Sequence, residues 1–124
     1  MKKFTILISD RNRNVRELLK REMMAEGYRV RLAKSAREIL KLVYHYEPLD
    51  LLILDPDLPD AGESFVLERV SDRIPTLPVV VHTYSIDHES PHADHNKVTY
   101  VEKNGSSIEH LKKVVYELLN KPNP

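Results

Sequence analysis

DLLILDPDLP, residues Asp50 to Pro59, decides the fold. Its apolar part, Leu51 to Leu54, is continuous rather than alternating, which is the pattern of a strand buried on both faces of a parallel sheet. The run stops at Asp55 and passes into Pro56, Asp57, Pro59, Asp60 and Gly62, a turn-rich loop. A carboxylate is therefore delivered to the carboxyl end of a central strand.

Upstream, Phe4 to Ser9 (FTILIS) is a second β-rich, apolar run and is expected beside it at the centre. Val15, Leu18, Leu19 and Met23 then recur at helical spacing, between Asn12 or Asn14 as a cap and Gly27 as a left-handed stop. Tyr28 to Leu32 alternates apolar with charged residues, so one of its faces is wet and it reads as an edge strand. Ser35 and Glu38 have the spacing of a capping box before Ile39, Leu40 and Val43, and Pro48 closes that helix, with its end near Tyr46.

Downstream, a short helix carries Phe65, Val66 and Val70 and stops before Pro75, and Pro78 to Thr83 (PVVVHT) makes the fourth strand. Ser85 to Lys97 is polar, with Pro91 inside it, and reads as mostly loop. Val98 to Glu102 is the fifth strand. Ser106 and Glu109 then open a last amphipathic helix through Ile108, Leu111, Val115 and Leu118. Strands alternating with helices imply one parallel sheet covered on both faces. In such sheets the functional crevice lies at the carboxyl ends of the strands, where Asp10, Asp55, Thr83 and Lys103 all fall.

Composition narrows the function. The 124 residues suit one domain, read as residues 1–120, with 121–124 as a tail or the start of a linker. Nineteen Lys plus Arg balance nineteen Asp plus Glu, so no overall field draws the chain to nucleic acid or to an anionic membrane. There is no cysteine, which excludes disulfides and thiol catalysis. No apolar run approaches the roughly 20 residues needed to span a bilayer, and a cytoplasmic protein is expected.

Taken in order, ILISD, LLILDPDLP, PVVVHT and YVEK resemble the receiver domain of two-component response regulators, over essentially the whole chain. That resemblance implies a flavodoxin-like fold with strand order 2-1-3-4-5. It makes Asp55 the acceptor of a phosphoryl group from a sensor histidine kinase or phosphotransfer protein in a phosphorelay. Lys103 becomes the fixed cation for the phosphoryl oxygens, and Thr83 with Tyr100 the switch that reports phosphorylation to a downstream protein or output domain. It further implies Mg2+ held by an acidic pair after the first strand together with Asp55, and a dimer through the fourth helix, fifth strand and fifth helix. No turnover of an external substrate is implied, since the convergent groups serve only to modify Asp55.

The chain departs from the family pattern at several places. The acidic pair reads Asp10-Arg11, so one carboxylate is replaced by a guanidinium, which should weaken the metal site. Two repairs are open: Asp57, where the family contributes a backbone carbonyl to the metal, adds a carboxylate, or Arg11 replaces the metal through an ion pair with Asp55 or Asp10. Asn104 stands where the family commonly has a cis-forming proline, and the fourth helix is degenerate, replaced by the segment 85–97. His88, His92 and His95 in that segment have helical spacing for a metal, but Pro91 interrupts the helix they need, and a solvated loop is the expected reading. The alternative for the whole chain is a pseudo-receiver, a phosphorylation-independent interaction module.

Overall fold

The three strands that are most apolar in sequence lie at the middle of one five-stranded parallel sheet. A computed structural model describes residues 3–45, 48–73, 75–84 and 98–120. The elements are β1 (Thr5–Ser9), α1 (Arg13–Ala25), β2 (Arg29–Ala33), α2 (Ala36–Val43), β3 (Leu51–Leu54), α3 (Glu63–Val70), β4 (Val79–Thr83), β5 (Val98–Glu102) and α4 (Ser107–Leu119). Strand order is β2-β1-β3-β4-β5 with every pair parallel, the doubly wound, flavodoxin-like arrangement. The segment 85–97, with its three histidines and the degenerate helix read there, lies outside the described residues, so the last helix is numbered α4.

The pleat sorts the core into two layers. Leu7, Leu52, Leu54, Val79 and Val81 face α2 and α3, in a cluster with Ile39, Val43, Val66, Leu67 and Val70. Ile6, Ile8, Leu51, Ile53 and Val80 pack on the other face with Leu19 and Met23 of α1 and Leu111 and Val115 of α4. Most of these side chains are fully buried, each worth roughly 1.5–3 kcal/mol relative to exposure. The expected edge character of β2 is seen in its wet arginines, Arg29 and Arg31.

Helix ends follow local chemistry. Asn12, not Asn14, caps α1, its Oδ1 accepting the N–H groups of Asn14 (2.8 Å) and Val15 (3.2 Å). Gly27 ends α1 at φ +97°, which a glycine tolerates without strain. Ser35 Oγ accepts the Glu38 N–H at 3.1 Å, while the Glu38 carboxylate reaches back one residue further than a standard box, to the Lys34 N–H at 2.8 Å. The box read at Ser106 and Glu109 does not form. Ser106 makes no side-chain cap; Asn104 Oδ1 instead accepts its N–H (2.9 Å) and its hydroxyl (3.0 Å).

Candidate functional site

β1, β3, β4 and β5 end side by side, and their last or following residues make one pocket. Asp10 follows β1, Asp55 follows β3, Thr83 ends β4 and Lys103 follows β5. Both carboxylates are 1% exposed and Thr83 is 7% exposed. The sheet thus brings together four residues widely separated in sequence.

Lys103 is the buried cation of this pocket. Its N–H donates to the Thr83 carbonyl at 2.7 Å, extending the β4–β5 ladder by one residue and aiming the side chain inward. The side chain is 8% exposed, and its ammonium lies 2.9 Å from Asp10 Oδ2 and 3.9 Å from Asp55 Oδ1. Such a bridge offsets the desolvation of two carboxylates, which one cation can do only partly. On its outer side the ammonium stands 4.9 Å from the centre of the exposed Tyr84 ring, a cation–π contact.

Asp55 is held by three backbone N–H groups, two at its carboxylate and one of its own. Oδ2 accepts from Arg11 N–H (2.9 Å) and Oδ1 from Asp57 N–H (2.9 Å). The Asp55 N–H donates to Ser9 Oγ at 3.2 Å, and the Ser9 hydroxyl in turn donates to the Ile53 carbonyl at 2.9 Å. Ser9, 1% exposed, therefore fixes the backbone on which the carboxylate sits. Pro56, lacking an N–H, adds no donor at this turn. Asp10 is fixed similarly, its Oδ1 accepting the Asn12 N–H at 2.8 Å and its carbonyl accepting Arg16 Nη1 at 2.6 Å.

Arg11 departs from the expected ion pair. Among the described residues its guanidinium pairs with neither Asp10 nor Asp55; Nη1 rests on the Asp57 carbonyl at 3.5 Å, on the exposed side. The reason is geometric, because the Arg11 N–H already bonds Asp55, so the side chain leaves outward and curls over the loop. Asp57 itself is exposed, and its carboxylate is not in the pocket's hydrogen-bond set.

The loop after Asp55 is anchored at two further points. Asp57 and Gly62 form an antiparallel bridge, and Asp60 accepts the Ala36 N–H (2.8 Å) and the Arg37 N–H (2.9 Å) at the start of α2. Those two N–H groups, Ala36 first, hold the Asp60 carboxyl below its usual range. On the far side, the Tyr100 hydroxyl donates to Glu63 Oε2 at 2.9 Å, tying β5 to the first turn of α3. Behind Thr83, the ring of His82 is 4% exposed with Nε2 3.3 Å from Ser107 Oγ and, among the described residues, Nδ1 buried without a hydrogen-bond partner. Burial, helped by the nearby Lys103 charge and opposed by Asp55, pushes its pKa down to about 4.

Sequence reading missed Ser9, Arg16, Asp60, Glu63 and Tyr84. Ser9 carried a partial signal, a small polar residue ending an apolar run, though nothing local showed its bond to Asp55. Asp60, Glu63 and Tyr84 act across the fold and carried none.

The donor set does not fit the Mg2+ implied for this pocket. Mg2+ is held by one or two carboxylates with carbonyl and water oxygens in near-octahedral array. Here the Lys103 ammonium already sits between Asp10 and Asp55, and the Asp57 carbonyl faces the Arg11 guanidinium, so two cations border the site and would repel the ion. Among the described residues no three His, Cys, Asp or Glu side chains are arranged to hold a metal.

Comparison with known proteins agrees with this geometry. A family model described as "Response regulator receiver domain" matches residues 6–116. The DNA-binding transcriptional regulator NtrC of Proteus hauseri is 30% identical over 70% of this chain and 18% of its own length. Response regulator MprA of Mycolicibacterium vanbaalenii is 36% identical over 63% of this chain and 33% of its own. The chain thus spans about a third or less of the length of the curated relatives it matches. Among solved structures, the response regulator TrrA of Thermotoga maritima in complex with Mg2+-BeF superposes with a TM-score of 0.83 at 28% identity, covering 94% of this chain and 99% of that one. A complex of the histidine kinase ThkA with TrrA gives the same TM-score, at 30% identity over 94% and 99% of the two chains. With an ordered set of strand-end residues, the matching strand order and a family match along nearly all its length, this chain belongs to the receiver domains of two-component response regulators.

Proposed function

We propose that Asp55 accepts a phosphoryl group from the phosphohistidine of a sensor histidine kinase or phosphotransfer protein, with a weakened dependence on Mg2+. The observation that carries this reading is the pairing of Asp55 with Lys103, a buried carboxylate with an ammonium 3.9 Å from one of its oxygens. Phosphoryl transfer to a carboxylate must bring two anions together, so a fixed cation and aimed N–H donors are what the transition state requires. Lys103 is the cation, and the Arg11 and Asp57 N–H groups hold the attacking carboxylate in place. Thr83 and Tyr100 then form the switch. For Tyr100 to move, its bond to Glu63 must be given up, a cost of roughly 1 kcal/mol.

The solved complex of ThkA with TrrA supports a kinase as partner. A downstream protein or an attached output domain reads the change, and the balanced charge argues against direct binding of nucleic acid by this domain. No helix among the described residues is long and apolar enough to cross a membrane. We place the domain in the cytoplasm, with dimerisation open to it and no external substrate to turn over. Incubation with acetyl phosphate followed by intact-mass spectrometry tests the reading. One phosphoryl group on the parent chain and none on Asp55→Asn is expected; an adduct on the variant at the same level sinks it.

Arg11 favours a second reading, a pseudo-receiver that binds its partner without phosphorylation. In that case the parent chain acquires no adduct, and Asp55→Asn leaves partner binding unchanged.

A further inference from the structure

We propose that Arg11 is a catalytic residue of phosphoryl transfer to Asp55, its guanidinium supplying the charge that the metal of related pockets would supply, so that the reaction runs without a divalent ion. The inference rests on the reading of Asp55 as acceptor.

Charge in the pocket is the first argument. Asp10, Asp55 and the loop's Asp57 contribute −1 each, while Lys103 and Arg16, whose Nη1 lies 2.6 Å from the Asp10 carbonyl, contribute +1 each, leaving −1 before any phosphoryl group arrives. Among the described residues the other cation resting on this loop is Arg11, and adding it brings the sum to zero. Position is the second. The Arg11 N–H donates to Asp55 Oδ2 at 2.9 Å, and its guanidinium rests on the Asp57 carbonyl at 3.5 Å. The side chain therefore starts at the acceptor and ends at the loop oxygen expected to face a metal. It is exposed and, among the described residues, bound there by one long contact, which leaves most of its N–H donors for an incoming anion. Chemistry is the third: a guanidinium matches phosphoryl oxygens bidentately and keeps its charge at every working pH. A divalent ion, by contrast, would have to displace that guanidinium.

The step balances without a proton. With acetyl phosphate, the bond between phosphorus and the acetyl oxygen breaks and its electron pair leaves as acetate. A bond from an Asp55 carboxylate oxygen to phosphorus forms, giving the acyl phosphate. Three negative charges enter and three remain, but one more sits on Asp55 than before. Arg11 and Lys103 take opposite sides of that group, as paired cations do in other phosphoryl transfers, where an added arginine is worth about 10³–10⁵ in rate.

The experiment follows acetyl phosphate labelling of the full chain by intact mass, in EDTA and in Mg2+, with calorimetric Mg2+ titration alongside. The parent chain is expected to react equally, within about twofold, in both conditions. Arg11→Ala should react on the order of 100-fold more slowly in EDTA, with Arg11→Lys recovering part of the loss. Arg11→Asp should bind Mg2+ at least about tenfold more tightly than the parent and react only with it. A parent chain that needs Mg2+, or an Arg11→Ala that keeps the parent rate, overturns the role of Arg11 and leaves Asp55 as acceptor. A parent chain with no adduct in either condition overturns both, unless Arg11→Asp gains one at Asp55, which removes only the catalytic role of Arg11. Equal Mg2+ affinity of the parent and Arg11→Asp also counts against the proposal.

Discussion

Lys103 and Arg11 both bring positive charge to Asp55, one from inside the fold and one from its surface. Lys103 is 8% exposed and bridges two buried carboxylates, whereas Arg11 is exposed and touches a backbone carbonyl. A buried cation between carboxylates is part of the stability of the fold, because those carboxylates have lost their water. An exposed one costs little to keep or to lose. The same charge can thus be structural and chemical at one position and chemical alone at the other.

The largest effect that would break this contrast is at Lys103. Lys103→Met should end labelling at Asp55 and destabilise the domain by about 3–5 kcal/mol, since it strands Asp10 and Asp55. Urea unfolding reads it, and a loss below about 1 kcal/mol would mean that Lys103 is not the compensating charge. Ser9→Ala leaves the buried Asp55 N–H without an acceptor and should cost about 1–3 kcal/mol, with Ser9→Thr recovering much of it. Equal stability of the alanine variant and the parent would remove Ser9 from the site.

His82 sharpens the comparison by showing what burial does to a titratable ring that no carboxylate pairs with among the described residues. Its folded pKa, about 4, lies below the ordinary 6.5, so the unfolded chain takes up a proton that the folded one refuses. This contribution is complete above about pH 6.5 and is lost as pH falls toward 4. Its size is about 2 kcal/mol by pH 5, and His82→Leu should abolish that part of the acid limb in urea midpoints measured at pH 7.5 and pH 5. The same slope in the variant would assign the limb to other groups. The smallest effect is expected at Arg11: Arg11→Ala should stay within about 0.5 kcal/mol of the parent, whatever it does to labelling. A loss above about 2 kcal/mol would show that the guanidinium holds the loop together.

Much of the site was legible in the chain. Asp10, Asp55, Thr83 and Lys103 each follow or end an apolar run, and a strand buried on both faces must put its first polar residue at the sheet margin. Element order was legible for the same reason, with the strand and helix periods unmixed. What could not be read were the bonds that cross between elements. Asp60 capping α2, Glu63 accepting from Tyr100, and Ser9 under Asp55 join residues 23 to 46 positions apart, and no local pattern encodes such meetings. The Ser106 cap failed because a nearer competitor, Asn104, took its N–H and its hydroxyl.

By itself, then, the sequence determined the alternation of strands and helices, the burial of β1 and β3, and the replacement of one pocket carboxylate by Arg11. These follow from hydrophobic period and residue identity, which are local properties. Only the tertiary structure decided where the Arg11 guanidinium goes. The direction of a long side chain at a strand end depends on which backbone group is already bonded across the sheet, and here the Arg11 N–H was committed to Asp55.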